Sequence, residues 1–203
     1  MRRLQRGERL LVATHNADKL AEIRALLISY HVEVVSSADL GLPSPAETED
    51  SFVGNARLKA HAGARAAGLL TLADDSGLTI DALQGAPGVH TADWAETPIG
   101  RDFGLAMQEC WTRLEEISAP FPRRSQFRAT LVLAEPEGGD AVFEGVVPGQ
   151  LVWPGRGTGG HGYDPIFQPD GYSATFGEMD LHTKNRISHR AVALEKFIKE
   201  CVG

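Results

Sequence analysis

Apolar runs of strand length, such as Leu10-Leu11-Val12-Ala13 and Ala129-Thr130-Leu131-Val132-Leu133-Ala134, alternate along this chain with segments whose apolar residues recur at helical spacing. That alternation limits the fold to strands joined by crossover helices and hairpins, an α/β (α+β) protein with a mixed sheet. Arg9–Ala13 reads as a buried strand. The polar stretch Thr14-His15-Asn16-Ala17-Asp18-Lys19 then leads into a helix carrying Leu20, Ile23, Leu26 and Leu27. His31–Ser36 is a second strand, and Gly41-Leu42-Pro43-Ser44-Pro45 breaks the chain before the acidic run Glu47-Thr48-Glu49-Asp50, which suits a helix start. The helix expected over Ser51–Ala67 places Phe52, Ala56, Ala60 and Gly63 on one side and Asn55 and Lys59 on another, with Gly68 ending it.

Leu69–Ala73 reads as a strand that stops at Asp74-Asp75-Ser76-Gly77, and Leu78–Leu83 as a second strand with period-two alternation. A helix follows over Arg101–Ile117. Gln126–Ala134, Ala141–Val147 and Gln150–Trp153 read as a meander whose turns are Glu137-Gly138-Gly139-Asp140 and Pro148-Gly149. A glycine-rich loop and a last helix, Ser188–Cys201, complete what reads as one domain over residues 1–203.

Composition removes several classes. With 20 Lys and Arg against 27 Asp and Glu, 20 − 27 gives a net charge of −7, which argues against a large nucleic-acid surface. The apolar runs fall short of the roughly 20 residues a membrane span needs. Met1-Arg2-Arg3-Leu4-Gln5-Arg6 is basic but runs into a strand with no apolar signal core, so we expect a solvated start and a cytoplasmic protein. Cys110 and Cys201 lie far apart on the apolar stripes of two helices and read as core thiols rather than a zinc site or disulfide.

Adjacent acids at the end of a buried run need something positive nearby. A turn or cap at Asp74-Asp75-Ser76-Gly77 is the competing explanation. Few, carboxylate ligands of this kind suit Mg²⁺ bound jointly with substrate phosphates. Glu47 is a weaker candidate on its own, since acids before a helix also complement its dipole. Thr14, Asn16 and Lys19 stand at a strand-to-helix junction, and His189 and Arg190 at another helix start with Ser188 as cap; both suit an anion. Gly155, Gly157 and Gly160 spell GxGxxG, yet the run ends in Tyr163-Asp164-Pro165 instead of opening a helix, so a dinucleotide site is rejected. There is no GxxxxGK[ST], and no GxSxG elbow supports a triad of Ser76, His189 and Asp75. The glycine-rich loop interleaves His161, Tyr163 and Asp164, able to bring amides, a ring and a carboxylate to a planar base.

Taken together, Thr14 to Lys19, Glu47-Thr48 with Phe52, Asn55 and Lys59, Ala73-Asp74-Asp75-Ser76-Gly77-Leu78, Gly85-Ala86-Pro87-Gly88, Gly159-Gly160-His161-Gly162-Tyr163-Asp164-Pro165-Ile166-Phe167, and Lys184 with Ser188-His189-Arg190 closely resemble the inosine triphosphate pyrophosphatase (Ham1-like) family. Order and spacing agree from about Leu10 to Phe197. The resemblance implies an elongated mixed sheet with flanking helices and two lobes around a nucleotide cleft. It also implies a Mg²⁺-dependent homodimer that hydrolyses non-standard purine nucleotides such as ITP, dITP and XTP to monophosphate and pyrophosphate. By position it assigns Thr14, Asn16 and Lys19 to the phosphates, His15 to substrate binding, Lys59 to the triphosphate, and Glu47 and Asp75 to the metal. Asp75 also becomes the proton acceptor. Ser76 contacts substrate, His161, Gly162, Tyr163 and Asp164 enclose the base, and Lys184, His189 and Arg190 complete recognition. Whether Asp74 ligates metal or orients its neighbour stays open.

Two positions depart from the family pattern: His161 stands where an aromatic such as Phe is frequent, and His15 where a small residue is. If His161 stacks on the base, affinity follows imidazole protonation. The nearest alternative is a Maf-like pyrophosphatase of modified pyrimidine nucleotides; a nucleotide-binding regulator without turnover is the alternative of another class.

Overall fold

The computed structural model describes residues 3–202. Among these, the strands are β1 (Arg9–Val12), β2 (Glu33–Ser36), β3 (Thr71–Ile80), β4 (Glu96–Thr97), β5 (Gly100–Arg101), β6 (Arg124–Ala134), β7 (Asp140–Leu151) and β8 (Phe167–Pro169). The helices are α1 (Ala17–Leu27), α2 (Phe52–Ala67), α3 (Phe103–Glu116), α4 (Leu181–Ile187) and α5 (His189–Cys201). Six strands form one sheet in the order β2-β1-β3-β6-β7-β8, and β4 and β5 form a separate ribbon. The sheet is mixed: β1 pairs in parallel with β2 and β3, whereas β7 and β8 are antiparallel. The chain divides into two compact units. One holds the chain up to Asp75, Ala129–Gly145 and the segment from Arg190 on; the other holds Ser76–Arg128 and Val146–His189.

In the first unit the sheet is covered on both faces. Leu10 and Val12 of β1, Leu72 of β3 and Leu131 and Leu133 of β6 are buried in one cluster with Ile23 and Leu27 of α1 and Leu194 and Phe197 of α5. Ala73, Val132 and Ala134, one residue out of phase, pack on Ala56, Ala60 and Ala64 of α2. Period-two alternation on β3 and β6 makes these two separate layers. Ser51 caps α2 by accepting the Gly54 N–H at 3.1 Å, and Gly68 ends it at φ +64°. At Gly63 a Cβ would stand 2.9 Å from Thr71 Cγ2 and 3.1 Å from Leu11 Cδ2, so glycine lets α2 approach the sheet. In the second unit, Ala106, Cys110 and Leu114 of α3 are buried with Leu78, Ile80, Phe127, Phe167 and Phe176.

Four sequence expectations are corrected. β3 is one ten-residue strand running straight through Asp74-Asp75-Ser76-Gly77, with no turn. A turn composition marks a turn when its acids need water, and here both aspartates meet cations inside the protein. β7 likewise continues through Pro148-Gly149. A Cβ on Gly149 would lie 2.4 Å from the Gln168 carbonyl oxygen, so this glycine serves close strand packing. Lys184 lies inside the short helix α4 rather than in loop before the last helix, and Asp180 caps α4 by accepting the Thr183 N–H at 2.9 Å. Finally, Leu4 is fully buried and bridges Val202, so the solvated start does not extend that far, and its first two residues lie outside the described ones.

Candidate active site

The alternation of β3 sends its two aspartates to different helices. Asp74, in phase with Leu72, meets the α1 and α5 side, where Lys19 Nζ donates to Oδ1 at 3.0 Å and Arg190 Nε to Oδ2. Arg190 Nη1 in turn donates to Glu22 of α1. Asp75, in phase with Ala73, meets α2: Lys59 Nζ lies 3.4 Å from its Oδ1 and 2.8 Å from Glu47 Oε1.

These two carboxylates are about equally buried, 4 % and 5 % exposed, yet they titrate in opposite directions. Burial alone would raise both. At Asp74 the Arg190 guanidinium and the Lys19 ammonium overcome it and hold the carboxyl far below the usual range. At Asp75 burial wins over Lys59, Glu47 adds repulsion, and the carboxyl is pushed up to about 6. Burial also opposes the charge on Lys59, but Asp75 and Glu47 outweigh it and keep the ammonium protonated.

Asp75 Oδ2 is buried and has no hydrogen-bond partner among the described residues. Glu47, Asp75 and Lys59 together carry two negative charges against one positive, and Glu47 is 42 % exposed on its side chain. An orphaned carboxylate oxygen, an excess negative charge and an open side fit a hard divalent cation. No three His, Cys, Asp or Glu side chains among the described residues form a set able to hold a metal by themselves, so a cation here would need further ligands from substrate or water.

The loop between β1 and α1 is ordered by its own side chains. Thr14 Oγ1 accepts the Asn16 N–H, and Asn16 Oδ1 accepts the Lys19 N–H, each at 3.1 Å. This is an N-cap, and it engages those two backbone amides within the loop itself. The His15 ring is used on a neighbouring loop, donating from Nε2 to the Leu42 carbonyl at 3.0 Å.

In the second unit Asp164, 2 % exposed, accepts from Lys184 Nζ and from the His161 N–H, each at 2.5 Å. A Cβ at Gly160 would come 2.1 Å from Asp164 Oδ2, so that glycine admits the carboxylate under the loop. Gly162 turns the loop at φ +63°. Tyr163 is a core residue: its ring packs edge-on to Phe103, and its hydroxyl donates to the Thr91 carbonyl at 3.0 Å. The Tyr163 ring is therefore enclosed, whereas His161 on the same loop is exposed. His189 stacks on Phe127 with centroids 4.9 Å apart and an 11° interplanar angle. Ser76 follows Asp75 on β3.

In the first unit the structure brings together Lys19 and Arg190 around Asp74, and Glu47, Lys59 and Asp75 around the orphaned oxygen. In the second it joins His161, Asp164 and Lys184. Sequence reading missed Glu22 as a partner of Arg190; its one signal is the i,i+3 spacing from Lys19 on the same helix. It also did not foresee that Lys19 and Arg190 meet a carboxylate of the protein itself.

The model of the Ham1 family matches residues 10–200. The chain belongs to the Ham1 family. A relative from Ruegeria pomeroyi named dITP/XTP pyrophosphatase is 64% identical over 197 residues, covering 97% of each chain. Another of that name, from Caulobacter vibrioides, is 52% identical over 191 residues, covering 94% of this chain and 96% of the relative. Among solved structures, a HAM1 protein from Coxiella burnetii superposes with a TM-score of 0.87 at 35% identity, covering 94% of this chain and 96% of that one. The Maf-like alternative is not supported, because the Ham1 model, these relatives and this neighbour all point to the other family. Membership also accounts for the mixed sheet with flanking helices. Among the described residues of this Ham1 protein, no helix is long and apolar enough to cross a membrane.

Proposed function

We propose that this Ham1 family chain is a dITP/XTP pyrophosphatase that hydrolyses non-standard purine nucleoside triphosphates, ITP included, to the monophosphate and pyrophosphate. The observation that carries the chemical part is the buried, unpartnered Asp75 Oδ2 beside Lys59 and Glu47. The full-length relatives named for this activity carry the substrate class.

Glu47 and Asp75 hold Mg²⁺ in this reading, and the cation supplies charge neutralisation and polarises oxygen. Without it, each unit-charge pair of carboxylate and phosphate about 4 Å apart costs about 4 kcal/mol at an effective dielectric of about 20. Lys59, kept charged by its two carboxylate neighbours, stabilises the negative charge that develops on the departing pyrophosphate. Asp75 accepts the proton of the attacking water; in the metal-free protein burial holds its carboxyl up at about 6. The Thr14 hydroxyl, the Asn16 amide, Lys19 and Arg190 contact the phosphates, the last two while still tied to Asp74. Ser76, His161, Gly162, Asp164, Lys184 and His189 recognise the nucleoside, with His161 stacking on the base and Tyr163 acting through its backbone. A donor directed at a 6-oxo group discriminates against adenine, whose amino group leaves that donor unpaired.

Pyrophosphate release from ITP, XTP, GTP, ATP and dUTP, measured with and without Mg²⁺, tests the reading. Metal-dependent release from ITP and XTP, weak for GTP and ATP, is expected. Release of single phosphate, or preference for dUTP, overturns it. The same reading has the enzyme work as a homodimer in the cytoplasm, carried by the family resemblance; light scattering on the purified protein measures the first.

A further inference from the structure

Glu47 stands in a stretch, residues 37–50, that contains no helix or strand. A carboxylate on such a stretch is placed only by what holds the stretch. Packing does not do so on the Leu42 side, where a cavity of about 130 Å³ opens between Leu42, Pro43 and Pro45 and the helix residues Lys59, Ala62 and Ala66.

Two side chains hold it, one on each side of Glu47, with the Leu42 N–H adding a backbone bond to the Ser37 carbonyl at 2.9 Å. Asn55, in the first turn of α2 and 2 % exposed, spends both ends of its amide on one residue. Its Oδ1 accepts the Glu49 N–H at 3.0 Å and its Nδ2 donates to the Glu49 carbonyl at 3.1 Å. On the other side His15 Nε2 donates to the Leu42 carbonyl. A carbonyl can only accept, so Nε2 carries the hydrogen, as it does in one neutral tautomer and in the imidazolium alike. Asn55 stands in α2, and His15 in the short loop between β1 and α1, next to Asn16, which caps α1. The chain between Leu42 and Glu49 is thus pinned at both ends, and Glu47 hangs from the pinned span beside Lys59.

We propose that Asn55 and His15 are positioning residues that fix residues 42–49 and so hold the Glu47 carboxylate where, with Asp75, it receives the divalent cation. This rests on the reading of Glu47 as a metal ligand. The family resemblance puts a small residue, often Gly, at position 15, where this chain has the histidine strap.

The test titrates Mn²⁺ into metal-free protein by calorimetry and follows amide hydrogen exchange of residues 42–49 in the same metal-free samples. Asn55→Ala raises the Mn²⁺ Kd about tenfold, the lower end of what loss of a ligand-orienting partner costs. His15→Gly raises it by a smaller factor, and His15→Gln, which keeps a donor, restores it. Exchange of residues 42–49 quickens in Asn55→Ala and His15→Gly while β1 and α2 keep their protection. His15 is exposed, so its variants carry the test even if Asn55→Ala does not fold. A wild-type Kd or unchanged loop exchange in these variants, alongside a raised Kd in Glu47→Gln, overturns the positioning role. An unchanged Kd in Glu47→Gln itself overturns the ligand reading, and the proposal with it.

Discussion

Asp74 and Asp75 are chemically identical neighbours, and everything that separates them is local environment. The folded pKa of Asp75, about 6, lies above the ordinary carboxylate value, so the native state binds a proton more tightly than the unfolded chain does. Its contribution to stability is present below about pH 4 and lost as pH rises through 6, a swing on the order of 3 kcal/mol. Asp75→Asn should therefore raise the melting temperature of metal-free protein at pH 8, leave it unchanged near pH 4, and cut turnover by about 10² to 10⁴. Asp74 has the opposite sign: its pKa is depressed, so its stabilisation is present at neutral pH and lost on acidification. Asp74→Asn strands two cations and should cost about 3 to 5 kcal/mol in denaturant titrations at pH 7, the deficit shrinking below pH 4. Mn²⁺ affinity in that variant should stay near wild type, because both Asp74 oxygens already serve Lys19 and Arg190.

The parts of the fold legible in the sequence are those where one pattern governs a whole segment. α2 was readable because Ser51, the alanine stripe and Gly68 agree on its start, face and end. β3 and β7 were each read as two strands because glycine, proline and aspartate carry the same letters in a turn as in a tightly packed strand, and only the neighbour decides. That neighbour is Lys59 or Arg190 for β3 and Gln168 for β7, each far away in sequence. The site divides along the same line. Residue types marked Asp74, Asp75 and, more weakly, Glu47, and the family resemblance added Lys59; the fold brings Glu47, Lys59 and Asp75 together, while neither reading showed the Glu22 link to Arg190 or the burial of Tyr163. Gly63 gives a test at this scale. Gly63→Ala gains helix propensity but pushes a methyl onto Thr71 and Leu11, so we expect a net loss of about 1 to 2 kcal/mol by chemical denaturation. Because α2 carries Lys59, pyrophosphatase activity should fall with it.

Each of the two units described has its own apolar core, and each core holds one cysteine: Cys201 in the first, Cys110 in the second. Both thiols are free and buried, and burial pushes Cys110 up to about 12. A thiol reagent should therefore label neither residue in the native protein within minutes, label both in denaturant, and leave activity insensitive to reductant. Rapid native labelling would mean that one core opens far more readily than its packing allows. The net charge of −7 bears on the whole molecule as well. A polyanionic substrate meets an acidic protein, so its local attraction rests on the few cations gathered around β3 and on the metal.

The course of β3 has a consequence for how such a site can change over generations. Adjacent residues of a strand never share a face, so Asp74 and Asp75 sit in separate compartments although a single peptide bond joins them. Mutations on the α2 side can retune one acid while the ion pairs of the other keep their partners, although the two still feel each other's charge. A one-residue insertion upstream in the strand, by contrast, would exchange their compartments outright. The doublet tolerates drift in its surroundings and almost none in its spacing.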